Sequence, residues 1–373
     1  MMDNNFCQLP FTSIFLGPDG GIKPCCSSRM NLGNLNEQSI DEILQGEIAT
    51  SIRDSIIEGT WHKACGQCKE QEIRGVRSER LSGKNNFMLK HKSISKNYFK
   101  LERLDLRWSN ICNLSCIYCY EYFSSKWAQL KGIKVNNLKD VNENGLFSLI
   151  ELHKDSVETI MLLGGEPLLQ KQNLDLVNIL PDKNYYILTN LCVDLLNNPI
   201  AEKLMEKHIT WGISFETIGP KFEFVRHGGK WEVFDKNIKY LQTRALEAHS
   251  LYSLYSAFNL DEFYDYILQN NFKEVHWGFL MYSGLNNRAE VSNLPHKLRE
   301  LACSHLEYII KNYSEAPGIA DLTNYYNIMV NSLGANNPNN FQDELGKIQD
   351  YFSVSKIDKF LELWPNLSTL LKV

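Results

Sequence analysis

The chain has 373 residues, of which 43% are hydrophobic and 22% charged, and a net charge of −5. That is the make-up of a globular protein long enough for one barrel-sized domain and a smaller module, and its negative balance argues against wholesale nucleic-acid binding. No apolar run reaches the length of a membrane span and the start carries no signal pattern, so ten cysteines point to metal ligation in the cytoplasm rather than to disulfides.

The first 85 residues read as a cysteine-bearing module. Cys7 opens an apolar stretch, CQLPFTSIFL, with strand character. Pro18-Asp19-Gly20-Gly21 is a tight turn, and the chain returns through IKPCC to Cys25 and Cys26. The pattern predicts a β-hairpin with cysteine at each open end. A Ser/Asp cap signal then starts a helix from about Ser39 to Ile57, which stops near Gly59. The knuckle Cys65-Gly66-Gln67-Cys68 follows. Hairpin and knuckle together gather four thiolates, one set of ligands for one inorganic centre. By spacing alone that centre is an iron–sulfur cluster or a zinc ribbon, the latter with His62 at hand, and Cys26 competes with Cys25. Residues 69–108 hold 11 Lys/Arg against 5 Asp/Glu, which reads as a solvated linker and helix.

From residue 101 apolar strands alternate with helical stretches, the pattern of a parallel α/β architecture. The strand Leu101–Trp108 feeds into Cys112, Cys116 and Cys119, spaced CxxxCxxC. Such tight spacing suits a loop wrapped round a single centre. Zinc sites usually come as paired CxxC knuckles instead. Three thiolates leave one iron of a four-iron cluster without a protein ligand. A strand at Val157–Leu163 then ends in Gly164-Gly165-Glu166-Pro167, where glycines permit close backbone approach and a carboxylate can accept from an ammonium group.

The CxxxCxxC loop, with Tyr118 just before its third cysteine and the GGEP stretch beyond, resembles the radical S-adenosylmethionine (radical SAM) superfamily. The resemblance implies a partial (β/α)6 barrel over residues 86–312. Cys112, Cys116 and Cys119 would hold a 4Fe–4S cluster whose open iron is chelated by S-adenosylmethionine. Gly164, Gly165, Glu166 and Pro167 would bind the amino group of its methionine moiety. The family also places cofactor contacts at further strand ends. By that resemblance Asn190 follows the strand Tyr185–Thr189, and Ser214 and Glu216 follow the strand Thr210–Phe215 toward the ribose. Glu216 departs from the family's usual Asp. Arg226, in FVRHGG, matches an Arg that pairs with the methionine carboxylate, though a structural salt bridge fits it as well. Further strands are expected at Leu251–Phe258 and Val275–Met281, the latter leading into Tyr282-Ser283-Gly284.

The N-terminal module is similar to the twitch form of the SPASM domain, which matches a subgroup carrying that module ahead of the barrel. The likeness implies one auxiliary 4Fe–4S cluster on Cys7, Cys25, Cys65 and Cys68. Residues 313–373 are helical by pattern, broken at Gly334-Ala335-Asn336-Asn337-Pro338, and read as an extension that packs on the barrel. Cys303 reads as buried and inert. Cys192 lies where a strand opens toward the site. It reads as a small packed residue or, by likeness to radical epimerases, as a hydrogen-atom donor.

The resemblance therefore implies an enzyme that abstracts a hydrogen atom from a small polar molecule such as a sugar, cyclitol or nucleotide. A full ligand set on the auxiliary cluster favours electron transfer, hence oxidation or rearrangement. A flavodoxin- or ferredoxin-type protein would supply the single electron. The alternatives are ribosomal-peptide maturation, epimerisation through Cys192, and a non-catalytic iron–sulfur or zinc scaffold.

Overall fold

The computed structural model describes residues 5–73, 78–82, 94–279, 289–332 and 355–365. Tyr282-Ser283-Gly284 and the break at 334–338 lie outside them. The chain divides into two compact units. The first comprises Met1–Ile111, Lys134–Ile187 and Leu196–Ile209; the second comprises Cys112–Ile133, Leu188–Leu195 and Thr210–Val373.

In the first unit β1 (Ser13–Leu16) and β2 (Gly21–Lys23) form the expected antiparallel hairpin, and β3 (Gly33–Asn34) pairs antiparallel with β2. Gly20, at φ +84°, carries the turn in a left-handed conformation that suits glycine. The hairpin does not stand apart. β1 pairs in parallel with β4 (Arg103–Leu106), with Ser13 opposite Arg103 and Leu16 opposite Leu106. β4 pairs in parallel with β5 (Thr159–Leu162), and β5 with β6 (Asn184–Thr189). The cysteine module and the strand that leads to CxxxCxxC thus share one sheet.

Two expectations for this unit need adjusting. Cys7 does not sit in a strand, because residues Leu9–Thr12 form one helical turn with Pro10 in the first positions, where a missing N–H costs nothing. The helix expected over 39–57 is two helices, Ile40–Gln45 and Glu47–Ile57, divided at Gly46. Ser39 starts the first with a capping box, its hydroxyl accepting from Glu42 N while the Glu42 carboxylate accepts from Ser39 N. Arg53, on the second helix, is fully buried. It donates to the carbonyls of Pro10, Leu44 and Lys96 and so ties three segments together.

At the end of β4, Trp108 is buried and stacks on Phe147 of the helix Asp140–Leu152, with ring centroids 5.0 Å apart. Its indole N–H donates to Asn173 Oδ1 and its backbone N–H to Gln170 Oε1. These bonds fix where the chain leaves the sheet for the cysteine loop.

In the second unit β7 (Ile209–Ser214), β8 (Ala245–Tyr252) and β9 (Glu274–Phe279) are parallel. Helices Gly219–Val225 and Trp231–Leu241 lie between β7 and β8, and Leu260–Gln269 between β8 and β9. Phe215, just past β7, is surrounded by Phe234, Phe263 and Phe272 at centroid distances of 5.1, 5.2 and 5.5 Å. β8 lies earlier than the expected Leu251–Phe258. Alternation over ALEAHSLY, with Leu246, Ala248, Ser250 and Tyr252 buried, marks the true strand. Beyond it Ser253 N donates to Ser256 Oγ, and that hydroxyl donates to Leu251 O, which turns the chain. Helices His296–Asn312, Ile319–Ser332 and Ser355–Leu363 complete the unit. Among the described residues, no helix is long and apolar enough to cross a membrane.

Candidate metal centres

The first cysteine set lines one pocket in the first unit. Cys7, Cys25, Cys65 and Cys68 all face it, with Trp61 and Arg80. Cys7 sits just ahead of the first helical turn and Cys25 follows β2. Cys65 ends the 3-10 turn Lys63–Cys65, and Cys68 lies in the first turn of the helix Gly66–Ile73. Burial pushes the Cys7 thiol up to about 12, and Cys65 and Cys68 beside it add to the rise. Burial likewise raises Cys25, with Cys26, Cys7 and Cys68 adding, and takes Cys65 to about 11. Four thiols so crowded repel one another as bare thiolates, and a shared cation relieves the repulsion. The donor set fits a four-cysteine iron–sulfur cluster. Cys26 does not line this pocket. It is exposed, and its charged neighbours are Glu79, Asp105, Arg107 and Arg103.

The second set lies on the loop at the start of the second unit. Cys116 is buried, and Cys112 and Cys119 are half-buried. Side chains and backbone hold the loop at nearly every residue. Ser115 N donates to His227 O and Ile117 N to Val225 O, both at 2.9 Å. The Trp127 indole N–H donates to Cys116 O at 2.8 Å, and the Ser124 hydroxyl to Leu114 O at 2.7 Å. Ser125 Oγ accepts from Cys112 N and donates to Cys112 O. At the sulfur, Leu114 N donates to Cys112 Sγ at 3.4 Å, and the Asn190 amide approaches it at 3.9 Å. Amides aimed at a cysteine sulfur stabilise thiolate charge, which fits a cluster-holding loop.

Behind the loop, Tyr118 donates to Glu216 Oε1 at 2.6 Å and Arg226 to Glu216 Oε2 at 2.7 Å. The Arg226 guanidinium lies over the Tyr118 ring, 5.3 Å from its centroid. All three side chains are buried. Burial, with Glu216 adding, pushes the Tyr118 phenol well up, while Arg226 opposes the rise. Burial also raises the Cys116 thiol, against the nearby Arg226 charge. Arg226 and Glu216, expected at different parts of the cofactor, are thus each other's partners.

Asn190 and Cys192 share a turn that joins the loop. Asn190 Nδ2 donates to Asn113 Oδ1 at 2.9 Å, and Asn113 Nδ2 to Cys192 O at 2.7 Å. Leu191 between them has φ +55°, a left-handed conformation rare for a leucine. Asn237 fixes the turn by donating to Leu191 O and Val193 O. Ser214, at the end of β7, is half-buried opposite His249 of β8. Asn113, Asn237 and His227 drew no notice in the sequence. Only Asn113 carried a signal, a polar amide inside the CxxxCxxC loop.

In the first unit the GGEP stretch lies against the backbone just before Cys112. Gly164 has φ +117°. A Cβ on Gly165 would fall 2.2 Å from Ile111 O. Glu166 N donates to Ile111 O at 2.8 Å, and the buried Glu166 carboxylate accepts from Leu168 N at 3.1 Å. Pro167 begins the 3-10 turn Pro167–Leu169.

Each of the two cysteine sets falls within a match to a known family. Residues 7–69 match the SPASM family, described as an iron-sulfur cluster-binding domain, and residues 106–268 match the radical SAM superfamily. The SPASM match thus lies ahead of the radical SAM match along the chain. The two matches fit an enzymatic role with S-adenosylmethionine and 4Fe–4S clusters as cofactors. The uncharacterized protein MJ0907 of Methanocaldococcus jannaschii is 35% identical over 126 residues, 31% of this chain, and the matched part spans 39% of that protein's length. Two solved structures share low overall similarity with this chain. One is anSMEcpe with bound AdoMet, 14% identical over 58% of this chain and 62% of that one, with a TM-score of 0.42. The other is Streptococcus suis SuiB bound to S-adenosylmethionine, 20% identical over 72% of this chain and 62% of that one, with a TM-score of 0.41.

Proposed function

We propose that the protein uses S-adenosylmethionine to abstract a hydrogen atom from a small polar substrate, a sugar, cyclitol or nucleotide, and so oxidises or rearranges it. The observation that carries this reading is the single pocket lined by Cys7, Cys25, Cys65 and Cys68, in a chain that also bears the CxxxCxxC loop. Four cysteines complete the outer ligands of a 4Fe–4S cluster, which leaves no iron for substrate and favours an electron-transfer role. In this twitch-like module Cys25 is the fourth ligand in preference to Cys26, since Cys25 lines the pocket and Cys26 does not.

When bound, the cluster of the CxxxCxxC loop and its S-adenosylmethionine supply a 5′-deoxyadenosyl radical, with an electron delivered by a flavodoxin- or ferredoxin-type donor. The chain's own residues bind and orient. Cys112, Cys116 and Cys119 would ligate the cluster, with Leu114 N–H and Asn190 steadying Cys112. Gly164, Gly165, Glu166 and Pro167 would hold the methionine moiety's amino group, with Gly165 packed on the backbone at Ile111 so that the stretch is set beside Cys112. Ser214, at the end of β7, would contact the ribose. Tyr118, Glu216 and Arg226 hold the loop from behind, and Arg226 sets the charge near Cys116.

Epimerisation is the second reading, favoured by one observation. Cys192 is half-buried on the turn that Asn113 ties to the cysteine loop. A Cys192→Ala variant that keeps full turnover removes it.

Hydrogen-atom transfer tests the main reading. Sugars, cyclitols and nucleosides deuterated at their carbinol carbons are incubated anaerobically with dithionite-reduced enzyme. Deuterium in the 5′-deoxyadenosine is the expected result. Deoxyadenosine free of deuterium with every such compound contradicts the substrate class, and no cleavage at all contradicts the reaction.

A further inference from the structure

The second unit holds a third group of ligating side chains, separate from both cysteine sets. Glu247 and His249 are two residues apart on β8 and therefore share a face. His276 on β9 is the in-register partner of His249. One donor atom from each of Glu247, His249 and His276 lies within 4.8 Å of the other two. His276 Nε2 is 3.1 Å from Glu247 Oε2, and the two imidazole rings have centroids 4.6 Å apart at 37°.

The surroundings suit a small cation. The opposite face of β8 carries the buried Leu246, Ala248, Ser250 and Tyr252, so the polar groups occupy the face that apolar packing leaves. On β7 the partner of Glu247 is Gly212, which puts no side chain over the carboxylate, and the partner of His249 is Ser214. Glu247 and His249 are half-buried while His276 is exposed, which leaves a way in from solvent. Glu274 and Asp321 add negative charge near His276.

We propose that Glu247, His249 and His276 bind one first-row divalent cation, of the zinc, manganese or iron(II) class. Two imidazoles and a carboxylate are a recurrent ligand set for such ions, and they leave coordination positions open for water or a substrate oxygen. Closing on the ion draws the donor atoms to roughly 3 Å from one another, a movement that the more exposed Glu247 and His276 side chains can supply. The site owes nothing to either iron–sulfur cluster and goes beyond the reaction proposed above.

The test counts zinc. Wild type and a His249→Ala/His276→Ala variant, both with their clusters reconstituted, are dialysed against micromolar zinc. Wild type should retain about one zinc more per chain than the variant. Equal zinc at equal iron content overturns the proposal. Because the cysteines are common to both proteins, the difference isolates this site whichever metal the cysteines hold. If the double variant does not fold by circular dichroism, Glu247→Gln serves instead. It should weaken zinc binding at least about tenfold, the lower end of what changes one shell further out cost, and unchanged affinity overturns the proposal equally.

Discussion

Behind the cysteine loop the Glu216 carboxylate accepts from both Tyr118 and Arg226. The family resemblance placed Glu216 toward the ribose of the cofactor, and nothing near it in the chain showed that Tyr118 and Arg226 would take up its carboxylate. Arg226 is ten positions on, across the helix Gly219–Val225, and only the folded chain brings the two within 2.7 Å. Glu216 is wholly buried and the Arg226 side chain is 8% exposed, so removing one partner leaves a charge without compensation. Glu216→Ala should therefore cost about 3–5 kcal/mol of stability, and adding Arg226→Met should recover most of it. Urea unfolding of the three cluster-free proteins checks this. If Glu216→Ala costs under about 1 kcal/mol, the pair is not formed as described. The left-handed Leu191 was equally unreadable, because a left-handed leucine has no sequence signature and the side chains that bond its turn, Asn113 and Asn237, come from elsewhere in the chain.

The elements that carry the site were more legible. Strand–loop junctions after β4 and β5 were placed from alternation and from the motifs that end them. Local chemistry defeated the finer reading where a short-range device won: Pro10 turning the start of the hairpin into a helical turn, Gly46 dividing a helix, serines ending β8 early. At the junction after β5, Gly165 was read as a point of close approach, and the approach proves to be to the chain's own backbone at Ile111, next to Cys112. A side chain there must displace that backbone by roughly 1 Å, a shift able to cost on the order of a hundredfold in rate. Gly165→Ala is thus expected to lose deoxyadenosine formation by about that factor. Gly145→Ala, on an exposed helical turn with nothing within 4 Å of the added methyl, should match wild type. Equal rates for the two variants would show that the 164–167 stretch does not set the loop.

At the scale of the whole molecule, the order of the two iron–sulfur domains was readable because cysteine spacing survives any fold that brings the thiols together. What spacing could not give was the choice between Cys25 and Cys26, adjacent in the chain and facing different surroundings. Cys25→Ala is expected to deplete the auxiliary cluster and Cys26→Ala to leave iron unchanged; the reverse pattern would reassign the ligand. Nor could the sequence reveal that the N-terminal hairpin continues the sheet through β1 and β4, since parallel pairing between strands some ninety residues apart leaves no local mark.

The most direct measurement is an anaerobic reconstitution, counting iron and sulfide and assaying 5′-deoxyadenosine after dithionite reduction. Wild type should carry about eight irons per chain and form deoxyadenosine. A Cys112→Ala/Cys116→Ala/Cys119→Ala variant should carry about four and form none. About four irons in wild type with cleavage intact would contradict the auxiliary cluster, and zinc in place of iron with no cleavage would contradict the account as a whole.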